Sequence, residues 1–202
     1  MMADSWKAYF WPNSEVLKNK LMLFDAEALR EAEYQAIFKR EKELNKNPIK
    51  GNFDMAHLKA CHKHLFQDVY GWAGELRTVD MAKGGTPFAH FNYLDSAMRD
   101  IHKRLEKDNF LRGLERKDFV DGFTDVYGDM NALHPFREGN GRATRCFMRA
   151  LANQAGYEFD YSRIESDHKQ RWNEASKQSA FGKMDELRAI LDDAILPLRG
   201  EG

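Results

Sequence analysis

The feature that most constrains this chain is a glycine-rich loop that runs directly into a helix, HPFREGNGRATR at residues 134–145. Gly139, Asn140 and Gly141 are residue types that tolerate unusual backbone angles, and successive N–H groups in such a turn converge on anions. From Arg142 onward, apolar residues recur at spacings of three and four, which predicts a helix. The loop therefore leads to a helix N-terminus, where unpaired N–H groups and the helix dipole attract anions.

The charged residues of this stretch sharpen that interpretation. Arg142 and Arg145 share one face of the first helical turn, where cations oppose the helix dipole unless a polyphosphate lies between them. Glu138 would repel such a ligand unless Mg²⁺ joined its carboxylate to the phosphate oxygens. His134 can accept a proton near neutral pH. Each feature alone is compatible with a structural role, but their joint spacing predicts a site for phosphoryl or nucleotidyl transfer.

The spacing His-x-Phe-x-Glu-Gly-Asn-Gly-Arg-x-x-Arg resembles the Fic family signature, and every defining position is matched. The resemblance implies transfer of AMP from ATP to a Tyr, Ser or Thr hydroxyl of a target protein. It implies that His134 is the general base, Glu138 the Mg²⁺ ligand and Phe136 the anchor of the loop in the core. The implied phosphate-binding residues are Gly139, Asn140, Gly141, Arg142 and Arg145.

Two alternatives to AMP transfer remain open at this point. One is transfer of UMP, phosphocholine or phosphate on the same fold, although Gly141 distinguishes this chain from the Doc-like variant, in which Lys replaces the second glycine and the reaction is phosphorylation. The other alternative is a non-catalytic regulator that binds nucleotides, although binding alone would not require His134.

The rest of the sequence predicts an all-α fold, a Fic-type helical bundle with one β-hairpin, in a single domain over residues 1–202. Asp25 and Asp54 are predicted N-caps. Further helices are predicted at 92–108, from about 118, in the motif segment 134–155, at 167–182 and at 184–196, with a short one from Ser14 and a turn or short helix at 157–164.

Two segments alternate as strands do, residues 75–80 and 86–92, and Gly84-Gly85 between them is a turn signal. The resemblance identifies this region, about 75–92, as the flap, a hairpin beside the active site. A flap pairs through its backbone with the incoming target segment, a known mode of recognition. The predicted docking residues are Thr78, Val79, Asp80, Phe88, Ala89 and His90.

Composition limits the remaining function classes. The formal net charge of −1 gives no overall basic footprint for direct nucleic-acid binding. No apolar run approaches the roughly 20 residues of a membrane span, and the start of the chain lacks a signal-peptide pattern, so we expect a cytoplasmic protein without membrane contact. Cys61 and Cys146 are predicted to be buried thiols in a reducing compartment. His57, His62 and His64 lack metal-site spacing and are interpreted as ordinary residues.

Partners follow only from the resemblance. A small Fic protein of this type is similar to the toxin of a toxin–antitoxin pair, whose relatives modify the ATPase subunits of type II topoisomerases. The segment YFWPNSEVLKNK, residues 9–20, also resembles secreted effectors that modify host proteins such as small GTPases.

Control of activity is the last expectation. Fic proteins are commonly inhibited by a helix with a Ser/Thr-x-x-x-Glu motif, whose glutamate pairs with the second motif arginine. No Ser or Thr of this chain is followed four residues later by Glu. We therefore expect either constitutive activity or, preferably, a small helical antitoxin that places its glutamate on Arg145.

Overall fold

The computed structural model describes residues 6–198, and these are predominantly helical, as predicted. The longer helices are α1 Ala26–Lys46, α2 Met55–Phe66, α3 Leu94–Lys107, α4 Arg116–Leu133, α5 Asn140–Gln154, α6 Lys169–Ser179 and α7 Asp185–Ala194. Shorter helical turns are Phe91–Tyr93, Asn109–Leu111, Tyr161–Arg163 and Ile164–His168. Strands β1 Ala82–Lys83 and β2 Thr86–Pro87 pair antiparallel, as do β3 Tyr157–Phe159 and β4 Ile195–Pro197.

The two predicted N-caps are confirmed. Asp25 Oδ1 accepts the backbone N–H groups of Glu27 and Ala28 at 3.0 and 2.8 Å. Asp54 Oδ1 accepts the N–H of His57 at 2.8 Å. Each carboxylate satisfies donors that the first helical turn leaves without partners.

The core lies around α4 and α5, which the motif loop joins. On α4, Phe119, Phe123 and Met130 are completely buried. On α5, the same is true of Phe147 and Leu151. Both ends of the loop are thus attached to helices that cannot shift without disturbing the core, a suitable support for a rigid site.

The prediction of a strand over residues 75–80 is wrong, and so is most of the strand predicted at 86–92. Only Ala82–Lys83 and Thr86–Pro87 pair, around the Gly84-Gly85 turn. The reason is Arg77, whose side chain is buried and whose backbone N–H donates to the carbonyl of Pro135 at 2.9 Å. Residues 75–80 therefore bind the motif loop instead of a neighbouring strand.

The pairing of β3 with β4 was not predicted, and it replaces the expected helical or turn structure at 157–159. The last helix correspondingly ends at Ala194, and Ile195–Pro197 continues as a strand. Phe159 and Ile195, which face each other in this pair, are both buried. The helix predicted from Ser14 is also wrong, since that segment forms turns and an isolated bridge between Phe10 and Leu17.

Cys61 and Cys146 are free thiols; Cys61 is buried as predicted, whereas Cys146 is only half-buried. Over residues 6–198, none of the helices combines the length and apolar character that crossing a bilayer requires.

Candidate active site

The motif loop begins with a left-handed residue and ends with another. His134 follows the last residue of α4 with φ 43°, and Gly139 precedes α5 with φ 79°. Between them, the Asn140 side chain closes the loop, because Oδ1 accepts the N–H of Phe136 and Nδ2 donates to its carbonyl, both at 2.8 Å. Phe136 is completely buried, and its ring stacks on His62 with centroids 3.9 Å apart.

His134 is half-buried and lines a cavity between the flap, α4 and α6. Its ring stacks on Phe88 of the flap with centroids 3.7 Å apart and planes within 5°. Burial, together with the positive charges of Arg77 and Lys83, lowers the pKa of His134 to about 4. The imidazole is therefore neutral at pH 7, the form that accepts a proton. The cavity of about 260 Å³ beside it is lined by flap and helix residues, including Thr86, Phe88, Asn131, Asn173 and Ser176.

The two motif glycines have different reasons to be glycine. A Cβ on Gly139 would lie 2.1 Å from Cζ of Phe66, so packing and the positive φ both exclude a larger residue. A Cβ on Gly141 would meet only Nη1 of Arg145, at 3.5 Å, which is an ordinary contact. Packing within the protein therefore does not require Gly141, which leaves open space at the N-terminus of α5.

The two motif arginines differ in their partners. Arg142 Nη1 donates to Oε1 of Glu33 at 2.5 Å, and the hydroxyl of Tyr70 donates to the other oxygen of Glu33 at 2.5 Å. Among the side chains that the structure describes, which exclude that of Asp167, Arg145 forms no ion pair, and its guanidinium lies 4.1 Å from the ring centre of Tyr161. The two arginines line a groove of about 520 Å³ together with α1 side chains that include Tyr34 and Phe38.

Glu138 presents the one exposed carboxylate of the motif. Its Oε1 accepts the backbone N–H of Gly139 at 2.9 Å, which fixes it beside the start of α5. The described residues contain no cluster of three or more His, Cys, Asp or Glu that could hold a metal ion. A single carboxylate nevertheless fits Mg²⁺, because this ion is commonly held by one or two carboxylates plus substrate phosphates.

His62, interpreted above as an ordinary residue, braces the loop. Its Nδ1 accepts the N–H of Gly74 at 2.8 Å, so Nε2 carries the proton and donates to the carbonyl of Glu138 at 3.0 Å. Burial lowers the pKa of His62 to about 4, which keeps this arrangement neutral. The sequence did indicate a buried position for His62, because this residue is four positions from Leu58 and four from Phe66, on the apolar face of α2.

The predicted docking residues are held in place by neighbouring segments. The N–H of Thr78 donates to the hydroxyl of Tyr9 at 3.2 Å, and Val79 is buried. Asp80 accepts the N–H of Phe91 at 3.0 Å and lies 3.2 Å from Nε2 of His90. Thr78, Asp80 and His90 are exposed on the flap face, whereas Phe88 and Ala89 are half-buried.

Taken together, the fold and the loop define a helical domain in which a glycine-containing loop joins a neutral histidine after α4 to the start of α5. The sequence profile described as "Fic/DOC family" matches residues 52–152. The chain is 34% identical over 187 residues to "Probable protein adenylyltransferase Fic" of Escherichia coli, covering 93% of this chain and 91% of the relative. The chain belongs to the Fic/DOC family.

Other relatives place this chain among bacterial Fic domains. It is 39% identical over 183 residues to "Protein adenylyltransferase VbhT" of Bartonella schoenbuchensis, a match that covers 91% of the chain but only 38% of that longer protein. The crystal structure of BepC of Bartonella tribocorum, a VirB-translocated effector with bound AMPPNP, superposes with a TM-score of 0.89 at 29% identity. That match covers 96% of this chain and 98% of the other. A Fic domain of Bartonella quintana with bound ADP also has a TM-score of 0.89, at 29% identity over 95% of this chain and 96% of the other.

Proposed function

We propose that this protein is an adenylyltransferase that transfers AMP from ATP to a Tyr, Ser or Thr hydroxyl of a target protein. The observation that carries the proposal is a neutral, half-buried His134 at one end of a loop whose other end begins helix α5. Two arginines follow within that helix. Relatives named as adenylyltransferases and solved relatives with bound AMPPNP or ADP support the same assignment.

In the proposed reaction, the target hydroxyl oxygen attacks the α-phosphorus of ATP. A new phosphorus–oxygen bond forms to the target, and the bond from the α-phosphorus to the bridging oxygen breaks, so that pyrophosphate leaves. His134 takes the hydroxyl proton, a role that its lowered pKa supports because the ring is unprotonated at neutral pH. Its stacking on Phe88 fixes the ring between the flap and the loop.

The proposed phosphate-binding residues stabilise the negative charge of ATP and of the departing pyrophosphate. Gly139, Asn140 and Gly141 form the proposed cradle; because the N–H of Gly139 already binds Oε1 of Glu138, the donors to phosphate are the backbone N–H groups of Asn140 and Gly141. Since the Asn140 side chain is used within the loop, its contribution to the phosphate is through the backbone. The guanidinium groups of Arg142 and Arg145 line the adjoining groove and bind the middle and terminal phosphates.

Mg²⁺ would be held by Glu138 together with phosphate oxygens, and it would neutralise part of the phosphate charge. Glu138 itself is positioned for this by the N–H of Gly139 and by the bond from His62 to its carbonyl.

The flap is proposed to align the target. An extended target segment would lie along Thr78–Asp80 and Phe88–His90, and its hydroxyl would enter the cavity beside His134. Arg77 binds the carbonyl of Val79, Tyr9 accepts the N–H of Thr78, and Asp80 accepts the N–H of the adjacent Phe91, so the flap is held in one geometry before the target arrives. Such preorganisation favours selection among targets.

The proposed regulator is a small helical antitoxin that carries a Ser/Thr-x-x-x-Glu motif and inhibits the enzyme in trans. The groove beside Arg145 supports this, because it combines the positive charge of Arg145 with exposed aromatic rings of Tyr34 and Phe38, whose centres lie 6.3 Å apart. A helix with an apolar face and a glutamate is complementary to that surface. The proposed target of such a toxin is the ATPase subunit of a type II topoisomerase.

A second candidate function has the same reaction but different target proteins, in a different cell. Several solved relatives are VirB-translocated Bartonella effectors. This favours the interpretation that the present protein is secreted and modifies host proteins such as small GTPases. Cytoplasmic action in the producing cell is the first candidate and delivery into a host cell the second.

The transferred group is tested by labelling a cell lysate with the purified protein. Relative to lysate alone, we expect the purified protein to add protein-bound label from ATP labelled at the α-phosphate and to add none from ATP labelled at the γ-phosphate. Excess unlabelled ATP should suppress the label, whereas UTP and CDP-choline should not. Label from the γ-phosphate, or suppression by UTP or CDP-choline alone, would instead assign phosphate, UMP or phosphocholine transfer.

A further inference from the structure

Arg77 is a completely buried arginine that binds backbone carbonyls instead of a carboxylate. Its Nε donates to the carbonyl of His134 at 2.8 Å, and Nη2 lies 3.4 Å from that of Leu133. On its other side, Nη1 donates to the carbonyl of Val79 at 2.7 Å, and Nη2 also donates to that of Ala89. Within residues 6–198 the closest carboxylate oxygen belongs to exposed Asp80, at 3.9 Å.

The hydrogen bonds from Arg77 to the end of α4 support the conformation of His134. The last carbonyls of α4 have no partners within the helix and form the negative end of its dipole, so a buried cation there is stabilising. His134 has the left-handed φ of 43°, which is unfavourable for a residue with a Cβ. The bond from Arg77 to the carbonyl of His134 holds that conformation and thereby the direction of the imidazole.

The hydrogen bonds from Arg77 to Val79 and Ala89 support the flap. Val79 and Ala89 lie on either side of the β1–β2 turn, and the N–H of Ala89 also donates to the carbonyl of Ala132 on α4 at 3.0 Å. The planar guanidinium, with its five N–H donors, is the side chain suited to bridging several carbonyls at once. A lysine would offer one point charge in place of this fork.

We propose that Arg77 is a positioning residue that fixes the target-aligning flap relative to the general base. The proposal rests on the proposed function, since it concerns the step in which the target hydroxyl meets His134. None of the bonds of Arg77 reaches the phosphate-binding residues 139–145, so its loss should affect transfer and not the affinity for nucleotide.

The test compares Arg77→Met and Arg77→Lys with a matched control, Arg116→Met. Arg116 also donates to backbone carbonyls near a helix end, those of Asp192 at 2.6 Å and Ile195 at 3.1 Å. It lies at the opposite end of α4, about 26 Å from Leu133 at the helical rise per residue. For each variant we would measure the melting temperature, the affinity for Mg·ATP by calorimetry, and the rate of lysate labelling from α-labelled ATP at saturating nucleotide.

We expect Arg77→Met to label proteins about 10²-fold more slowly, the effect of misplacing reacting groups by about 1 Å. Its affinity for Mg·ATP should be unchanged, and Arg77→Lys should recover part of the rate. Arg116→Met should lower the melting temperature but leave the labelling rate unchanged. This separates a loss of alignment from a general loss of stability.

Several results would overturn the proposal. One is a folded Arg77→Met protein that labels at the wild-type rate, and another is a loss of rate that follows a matching loss of Mg·ATP affinity. If neither Arg77 variant folds, the residue is a determinant of folding and the positioning role is rejected. A wild-type protein that transfers no label from ATP would instead overturn the proposed function, and this proposal with it.

Discussion

Arg142 and Glu33 form an ion pair in which Nη1 lies 2.5 Å from Oε1. This pair connects α1 to the first turn of α5. Glu33 is buried on α1, and its second oxygen accepts the hydroxyl of Tyr70. With both oxygens held, the carboxylate cannot easily move away from Arg142. The pair therefore orients Arg142 while its remaining N–H groups stay available for a phosphate.

Replacing Glu33 by Gln should weaken Mg·ATP binding about tenfold, or about 1.4 kcal/mol, because the charge-assisted bond that orients Arg142 is lost. Calorimetry measures this directly. Glu43→Gln is a suitable control on the same helix, since Glu43 pairs with Arg40 at 2.9 Å and not with the loop. Tighter binding in Glu33→Gln would show that Glu33 competes with phosphate for Arg142.

The pH dependence of transfer should reflect the lowered pKa of His134. Below about 4 the imidazole is protonated and cannot accept the hydroxyl proton; above it, the base is fully available. The rate at limiting substrate should consequently be flat from pH 8 down to about 5, well below the usual histidine pKa of about 6.5. A decline centred near 6.5 would contradict the burial of this ring in the working enzyme.

Alanine at the two motif glycines should separate folding from ligand binding. Gly139→Ala forces a Cβ into Phe66 at a positive φ, and should lower the free energy of unfolding by about 3 kcal/mol. Gly141→Ala should fold normally, yet lose affinity for Mg·ATP because the methyl group fills the phosphate cradle. Thermal melts and calorimetry on both variants check this. Unchanged nucleotide affinity in Gly141→Ala would remove that position from the cradle.

Glu138→Gln should reduce Mg²⁺-dependent ATP binding and transfer together, because an amide is a poorer ligand for this ion than a carboxylate. Without Mg²⁺, the variant should bind ATP at least as tightly as the wild type, since a negative charge near the phosphates has been removed. The measurement is ATP affinity with Mg²⁺ and with EDTA. Equal losses under both conditions would point to a disturbed loop and not to a lost metal ligand.

Local signals predicted much of this structure. The carboxylates of Asp25 and Asp54 marked helix starts because capping depends only on neighbours a few residues away. The spacing from His134 to Arg145 indicated the loop and the following helix for the same reason. The complete burial of Phe136 agrees with its expected position in the core, although the roles assigned to the motif residues stay predictions.

Long-range contacts account for what the sequence pattern did not predict. Residues 75–80 alternate as a strand does, but the carbonyls that Arg77 binds come from segments up to 57 residues away. The pairing of Phe159 with Ile195 likewise joins residues that are far apart along the chain. Glu33 could have been noticed, because it interrupts the apolar face of α1 between Leu29 and Ile37, although its partner Arg142 could not have been identified from that pattern.

The central claim is that His134 takes the proton of the target hydroxyl during AMP transfer. It is tested most directly by a single-turnover measurement of protein labelling from α-labelled ATP, comparing the wild type with His134→Ala at saturating Mg·ATP. Calorimetry with Mg·ATP on both proteins shows whether the nucleotide site is intact. We predict a loss of transfer of about 10²–10⁴-fold with unchanged Mg·ATP affinity. Transfer by His134→Ala at the wild-type rate would contradict the claim.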